Sequence, residues 1–174
     1  MNNSPNKLTP VIISTAVMIV LSSVPGLNLI NTFCCMGIIL GGFIGVNYYS
    51  RQLIANNLLL SQKDSILIGL LSGIIAAIVN TGVSLAVSLF SNINPMAEVM
   101  EMMSTMGRQV PPEAMEIMDK LSQEFTKYGY SPTLTIITFV INIILYPLFG
   151  MLGSFIAYQI YKKKNLQQPN LPNL

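Results

Sequence analysis

The sequence predicts an all-α polytopic membrane protein, with four transmembrane helices and an amphipathic helical hairpin between the third and the fourth. Three observations carry that expectation. Of the 174 residues, 52% are hydrophobic and only 9% charged, which leaves too little polar surface for a soluble globule of this length. Residues 8–50, 65–97 and 128–161 contain no charged side chain. About 20 apolar residues make a helix that crosses ~30 Å of hydrocarbon, where a charge near the centre costs a few kcal/mol even on lenient scales.

The first charge-free run, at ~1.5 Å per residue, would make a rod of about 65 Å, roughly twice the membrane. It therefore divides into two helices, and Pro25-Gly26 marks the break. The spans are expected at residues 8–24, 29–49, 65–91 and 132–161, with the hairpin at 94–128 and a disordered tail at 165–174, all in one membrane domain covering 1–174. The first span shares features with a secretion signal, with Lys7, an apolar run and then Leu21-Ser22-Ser23-Val24-Pro25. Its apolar run of about 17 residues is long for a signal core, and no small-x-small pattern precedes Pro25, so the residues favour retention over cleavage. In the second span Cys34 and Cys35 are adjacent; a vicinal pair rarely bridges itself, and the two read as small apolar helix residues.

Between spans three and four, Asn94-Pro95 opens a short helix, with Glu98 and Glu101 in its early turns. Met96, Val99, Met100, Met103 and Met106 form one apolar stripe along it. A second helix opens at Pro112 and sets Met115, Met118, Leu121 and Phe125 opposite Glu113, Glu116 and Lys120. Such a pair lies along the membrane surface or caps the bundle. Seven methionines between Met96 and Met118 also invite a Cu(I) reading, since thioethers are soft ligands. The chain has no histidine, however, and methionine is an adaptable filler of apolar faces, so no metal or other cofactor is expected.

Orientation follows from the basic residues. Four spans put both termini and the connection at 50–64 on one side, with Lys7, Arg51, Lys63 and Lys162 to Lys164 against the single acid Asp64. The segment at 92–131 carries Arg108, Lys120 and Lys127 against six acids: Glu98, Glu101, Glu113, Glu116, Asp119 and Glu124. The positive-inside rule then places both termini in the cytoplasm. Tyr48, Tyr49, Tyr158 and Tyr161 fall at the cytoplasmic span ends, and Tyr128 and Tyr130 at the outer end of span four, as interfacial anchors. The lysine triplet reads as a topology anchor. The net charge of +2 implies no nucleic-acid partner.

Within the spans, small residues recur at four-residue spacing. Span two carries Gly37, Gly41 and Gly45 with Gly42 beside them; span three carries Gly69, Gly73 and Ala77; span four pairs Gly150 with Ser154 and Gly153 with Ala157. Such repeats let backbones approach where lipid offers no hydrophobic drive for association, whether within one chain or between chains. Two polar residues lie deep in the spans. At about 1.5 Å per residue, Asn80 lies ~18 Å from Asn92 and Asn142 ~15 Å from Pro132, depths matched well enough for an Asn–Asn hydrogen bond. Structural bonding is the preferred reading of the pair, and contact with a solute or ion the other. Pro147 frees the carbonyl of Ile143, so span four is expected to kink.

No Asp, Glu, Lys, Arg or His lies in any expected span, which removes the usual proton relays and ion sites of pumps and coupled carriers. Gly-x-Ser-x-Gly elbows, phosphate loops and metal-ligand spacings are also missing, so no enzymatic activity is expected.

The run Leu27-Asn28-Leu29-Ile30-Asn31-Thr32-Phe33-Cys34-Cys35-Met36-Gly37-Ile38-Ile39-Leu40-Gly41-Gly42, then Pro112-Glu113-Ala114-Met115, and finally a Gly-rich last span ending in lysines, make a recognisable order of features. It resembles that of a family of small bacterial four-span membrane proteins of the domain-of-unknown-function type. The resemblance implies a bacterial origin, the inner membrane and the four-span topology, and it implies no activity. The expectation is a non-catalytic structural or accessory subunit of a membrane complex, in contact with lipid and with other subunits or further copies of itself. The alternative is a small oligomeric carrier or channel subunit for an uncharged solute, for which Asn80, Thr81, Ser84, Ser88 and Asn142 offer a polar stripe.

Overall fold

A computed structural model describes residues 5–23, 35–91, 101 and 111–166. Among them the chain is all-helical and forms α1 (Leu8–Ser23), α2 (Met36–Ala55), α3 (Gln62–Ser91), α4 (Pro112–Tyr128) and α5 (Pro132–Leu166). The break at Pro25-Gly26, Cys34, the first helix of the hairpin with its methionine stripe, and most of the tail lie outside the described residues. Among the described residues two helices, α3 and α5, are long and apolar enough to cross a membrane; α1 is apolar but shorter.

The second helix begins at Met36 rather than at 29, with Cys35 in the left-handed conformation (φ 55°) as its cap and not a helix residue. The ends at 49, 65 and 161 are overrun for one shared reason. A charge stops a hydrocarbon-compatible run but does not stop a helix. Thus α2 continues past residue 49 to Ala55 because Val46, Tyr49, Ser50 and Leu53, at helical spacing, are all buried. It ends where Asn57 adopts the left-handed conformation (φ 56°), with the Asn57 N–H donating to the Ile54 carbonyl at 3.0 Å and the Leu58 N–H to the Leu53 carbonyl at 2.9 Å. This is a Schellman ending, and its accompanying apolar contact is supplied by Leu53 and Leu58 in one core cluster. Likewise α3 starts at Gln62, with Asp64 in its first turn, and α5 runs on to Leu166 with Lys163 and Lys164 in its last. Both placements complement the helix dipole. The first two residues of the expected disordered tail are therefore helical.

The chain divides into two compact units, one comprising residues 1–80 and 142–174, the other residues 81–141. In the first unit α1, α2, the first part of α3 and the second part of α5 bury two apolar clusters. One is built on Val11, Val46, Tyr49, Leu53, Leu60, Ile68 and Ala157, the other on Met18, Ile38, Ala76, Ala77 and Tyr146. An ion pair, Lys7 Nζ to Asp64 Oδ1 at 2.6 Å, ties the start of α1 to the start of α3. In the second unit α4 opens with Pro112 at its first position and closes at Gly129, whose N–H donates to the Phe125 carbonyl at 2.9 Å and whose left-handed φ of 76° turns the chain away from the helix. Of the expected stripe on α4, Leu121 and Phe125 are buried, while Met115 is 49% exposed.

Candidate functional site

The small residues of the first unit sit at helix crossings. A methyl group built on Gly41 would meet Met18 and stand 3.1 Å from the Ser14 carbonyl oxygen, and one on Gly45 would lie 2.6 Å from Ser14 Cβ, so both glycines admit α1. Gly42 and Gly150 meet between α2 and α5, and a methyl on Gly153 would overlap the Ile39 carbonyl. A methyl on Gly69 would stand 2.5 Å from the Gly150 carbonyl oxygen, and one on Gly73 2.5 Å from Pro147 Cα, where α3 crosses α5. Gly37 is buried near the start of α2.

Hydroxyls add bonds between α1 and α2, α2 and α5, and also α1 and α3. Ser14 donates to the Gly41 carbonyl at 2.9 Å, Thr15 to Ser72 at 3.3 Å, Ser72 to Val11 at 3.3 Å, and Ser154 to Gly42 at 3.2 Å. In lipid-like surroundings such side-chain to backbone bonds contribute on the order of 1 kcal/mol each. Ser14, Thr15 and Ser72 were not singled out by sequence reasoning; their signal was small hydroxyl residues on otherwise apolar helices.

Asn80 and Asn142 are both half-buried, and the Asn80 Oδ1 accepts a hydrogen bond from the Ser23 hydroxyl at 3.1 Å. Pro147 lies within the continuous helix α5 and is buried against Gly73. The first unit is thus built for close packing.

The second unit contains a cavity of about 170 Å³. One wall is Thr81, Ser84, Leu85 and Ser88 of α3; the opposite wall is Ser131 together with Leu134, Thr135 and Thr138 of α5, and Phe125 of α4 closes one side. Each wall repeats the spacing i, i+3, i+4, i+7, which places four residues on one helical face, three of them hydroxyl-bearing in each case. The sequence reading found the α3 half of this arrangement and missed the α5 half. The same spacing in Ser131, Thr135 and Thr138 was the available signal.

The start of α5 fixes one end of the cavity. Ser131 caps the helix by accepting the Leu134 N–H at 3.1 Å, with Pro132 next in the first helical position. Its hydroxyl also donates to Glu124 Oε2 at 2.5 Å, and the same carboxylate accepts the Thr133 N–H at 3.2 Å and, through Oε1, the Thr133 hydroxyl at 2.6 Å. The Ser131 hydroxyl foremost, then that of Thr133, holds the Glu124 carboxyl below its ordinary pKa. A carboxylate so stabilised is a poor general base, and serine and threonine hydroxyls are weak nucleophiles without one. Thr135 bonds back to the Ser131 carbonyl at 2.9 Å, whereas the Ser88 hydroxyl oxygen is buried and has no hydrogen-bond partner among the described residues. Among the described residues no cluster of three or more His, Cys, Asp or Glu side chains could hold a metal ion.

Compared with known proteins, the chain matches no family model, no curated protein and no solved structure.

Proposed function

We propose that this chain is an integral protein of a bacterial cytoplasmic membrane, with α1, α2, α3 and α5 as four spans and both termini in the cytoplasm. Its role is that of a non-catalytic structural or accessory subunit of a membrane assembly. One observation carries the reading: the most apolar stretch of α5 is only 22% buried, and Ile136 and Ile144 on that helix are 63% and 60% exposed. A core helix of a soluble protein hides such residues, and an apolar surface of this extent in water is an aggregation liability. Lipid is the solvent that suits it. The close small-residue crossings support the bundle, and the outward-facing apolar side chains of α1, α3 and α5 remain available to lipid or to neighbouring subunits.

Two experiments test this. Native mass spectrometry after mild detergent extraction reports copy number and partners; a chain that stays a lone monomer at every detergent concentration removes the accessory role. Gln123→Cys and Lys164→Cys, in a background without Cys34 and Cys35, test the topology in intact cells. Position 123 should label with an impermeant thiol reagent and position 164 should not; equal labelling overturns the orientation.

The cavity of the second unit favours a second reading, a small oligomeric carrier for an uncharged solute. Uptake into proteoliposomes separates the two readings.

A further inference from the structure

We propose that the cavity between Thr81, Ser84 and Ser88 of α3 and Ser131, Thr135 and Thr138 of α5 is a binding site for a small uncharged polyol group, carried by a free solute or by the headgroup of a lipid. The proposal goes beyond the accessory reading and stands whether or not the site lies on a transport route.

The composition of the walls sets the class of ligand. Six of the nine lining residues bear hydroxyls and none is charged. The Ser131 and Thr135 protons are already given to Glu124 and to the Ser131 carbonyl, whereas Ser88 still has a proton to give and the hydroxyl oxygens can accept, so the walls match a ligand whose polar groups both donate and accept. A charged ligand would be partly desolvated with no opposite charge lining the cavity, which is costly, and the carboxylate bonded to Ser131, that of Glu124, is already held by Ser131 and Thr133. A purely apolar ligand would leave the Ser88 hydroxyl as it stands, buried and without a partner. Leu85, Leu134 and Phe125 offer apolar surface for carbon-bound hydrogens. A polyol presents both kinds of surface.

Volume sets the size. At about 30 Å³ of liquid volume per water molecule, 170 Å³ has room for roughly five or six small non-hydrogen groups, the scale of a triol or of one end of a sugar. The site is smaller than the pockets that take drug-sized ligands.

Saturation-transfer difference NMR on the full chain in lauryldimethylamine oxide micelles tests the proposal, since that detergent carries no sugar. The probes are glycerol, meso-erythritol, n-propanol and glycerol 3-phosphate. Transfer is expected to glycerol and erythritol and to be weak for the other two. Ser88→Leu, which fills the cavity, should abolish transfer. Thr138→Val, which keeps the shape and removes one hydroxyl, should weaken binding about fivefold to tenfold. Gly82→Ala, on α3 but outside the cavity lining and with no atom within 4 Å of the added carbon, should leave transfer intact. If Ser88→Leu fails to fold, Thr138→Val against Gly82→Ala decides alone.

A second arm identifies the source. If the free polyols give no transfer but the headgroup protons of added monoglucosyl diacylglycerol do, and Thr138→Val weakens that signal, the ligand is a lipid headgroup. No transfer from either source, or transfer unchanged in both cavity variants, overturns the proposal and leaves the cavity to water.

Discussion

The two halves of α3 use small residues in opposite ways. Residues 69–77 present Gly69, Ser72, Gly73, Ala76 and Ala77, and there the helix is in backbone contact with α5 at Gly150 and Pro147. From Thr81 to Ser88 the same helix presents hydroxyls along one side of a half-open pocket. Helix α5 repeats the contrast, with Ser131, Thr135 and Thr138 in its first turns and Pro147, Gly150, Gly153, Ser154 and Ala157 beyond. Glycine brings two backbones together because nothing projects from it. Serine and threonine hold a polar group at a fixed distance and demand something to bond. One device makes a rigid crossing, the other a receptive cavity.

The sharpest way to break this comparison is to make one substitution in both places. Gly153→Ala puts a carbon onto the Ile39 carbonyl, a backbone atom that cannot swing aside, and should cost about 3 kcal/mol of stability in detergent, at the upper end of overpacking effects. Gly82→Ala meets nothing within 4 Å and should stabilise by about 0.5–1 kcal/mol through helix propensity. Opposite signs in reversible unfolding support the contrast; a destabilised Gly82→Ala breaks it.

The second comparison removes a hydroxyl from each half of α3. The single proton of the Ser72 hydroxyl is shared between the Ile68 carbonyl of its own helix at 2.6 Å and the Val11 carbonyl at 3.3 Å, so Ser72→Ala should cost about 1 kcal/mol. Ser88→Ala, in the absence of ligand, removes a buried hydroxyl that has no partner and should be neutral or mildly stabilising. Equal losses would mean that the two halves are built alike.

Much of this contrast was readable in the sequence, and the unreadable part has a physical cause. Gly41 and Gly45, Gly69 and Gly73, and Gly150 stand at helix crossings, and a four-residue repeat places such residues on one face, while Gly37 is buried. Which glycine meets which backbone, Gly42 with Gly150 or Gly153 with Ile39, depends on the order of helices around the bundle, and no local pattern encodes that. Charge-free runs located the helices but misplaced their ends, because Arg51 or Lys162 limits burial in hydrocarbon without interrupting i to i−4 bonding. The α5 wall of the cavity escaped notice because its hydroxyls look like ordinary interior threonines until α3 presents the same spacing opposite.

A smaller effect sharpens the account of the second unit. Glu124 has its pKa lowered by Ser131 and Thr133, so its contribution to stability is complete above the ordinary carboxyl value of 4.5 and is lost as pH falls through the lower folded-state value. The melting temperature should therefore fall on acidification below that value, and Glu124→Gln should flatten the fall. An identical acid dependence in the two proteins would show that the bonds at the start of α5 are not maintained in solution.

The smallest effect concerns the amide at the end of the closely packed half of α3. Sequence reasoning paired Asn80 with Asn142; the structure also supplies Asn80 with a donor, Ser23, at 3.1 Å in an exposed position. Two double-mutant cycles weigh these partners, Ser23→Ala with Asn80→Leu, and Asn80→Leu with Asn142→Leu. Interhelical hydrogen bonds in membranes average about 0.6 kcal/mol, so the Ser23 cycle should give a coupling of that order or below. A larger coupling in the Asn142 cycle would make the amide pair the main bond at this depth. A coupling near zero in the Ser23 cycle would mean that the Ser23–Asn80 bond adds nothing to the apolar clusters, hydroxyl bonds and glycine crossings that hold the first unit.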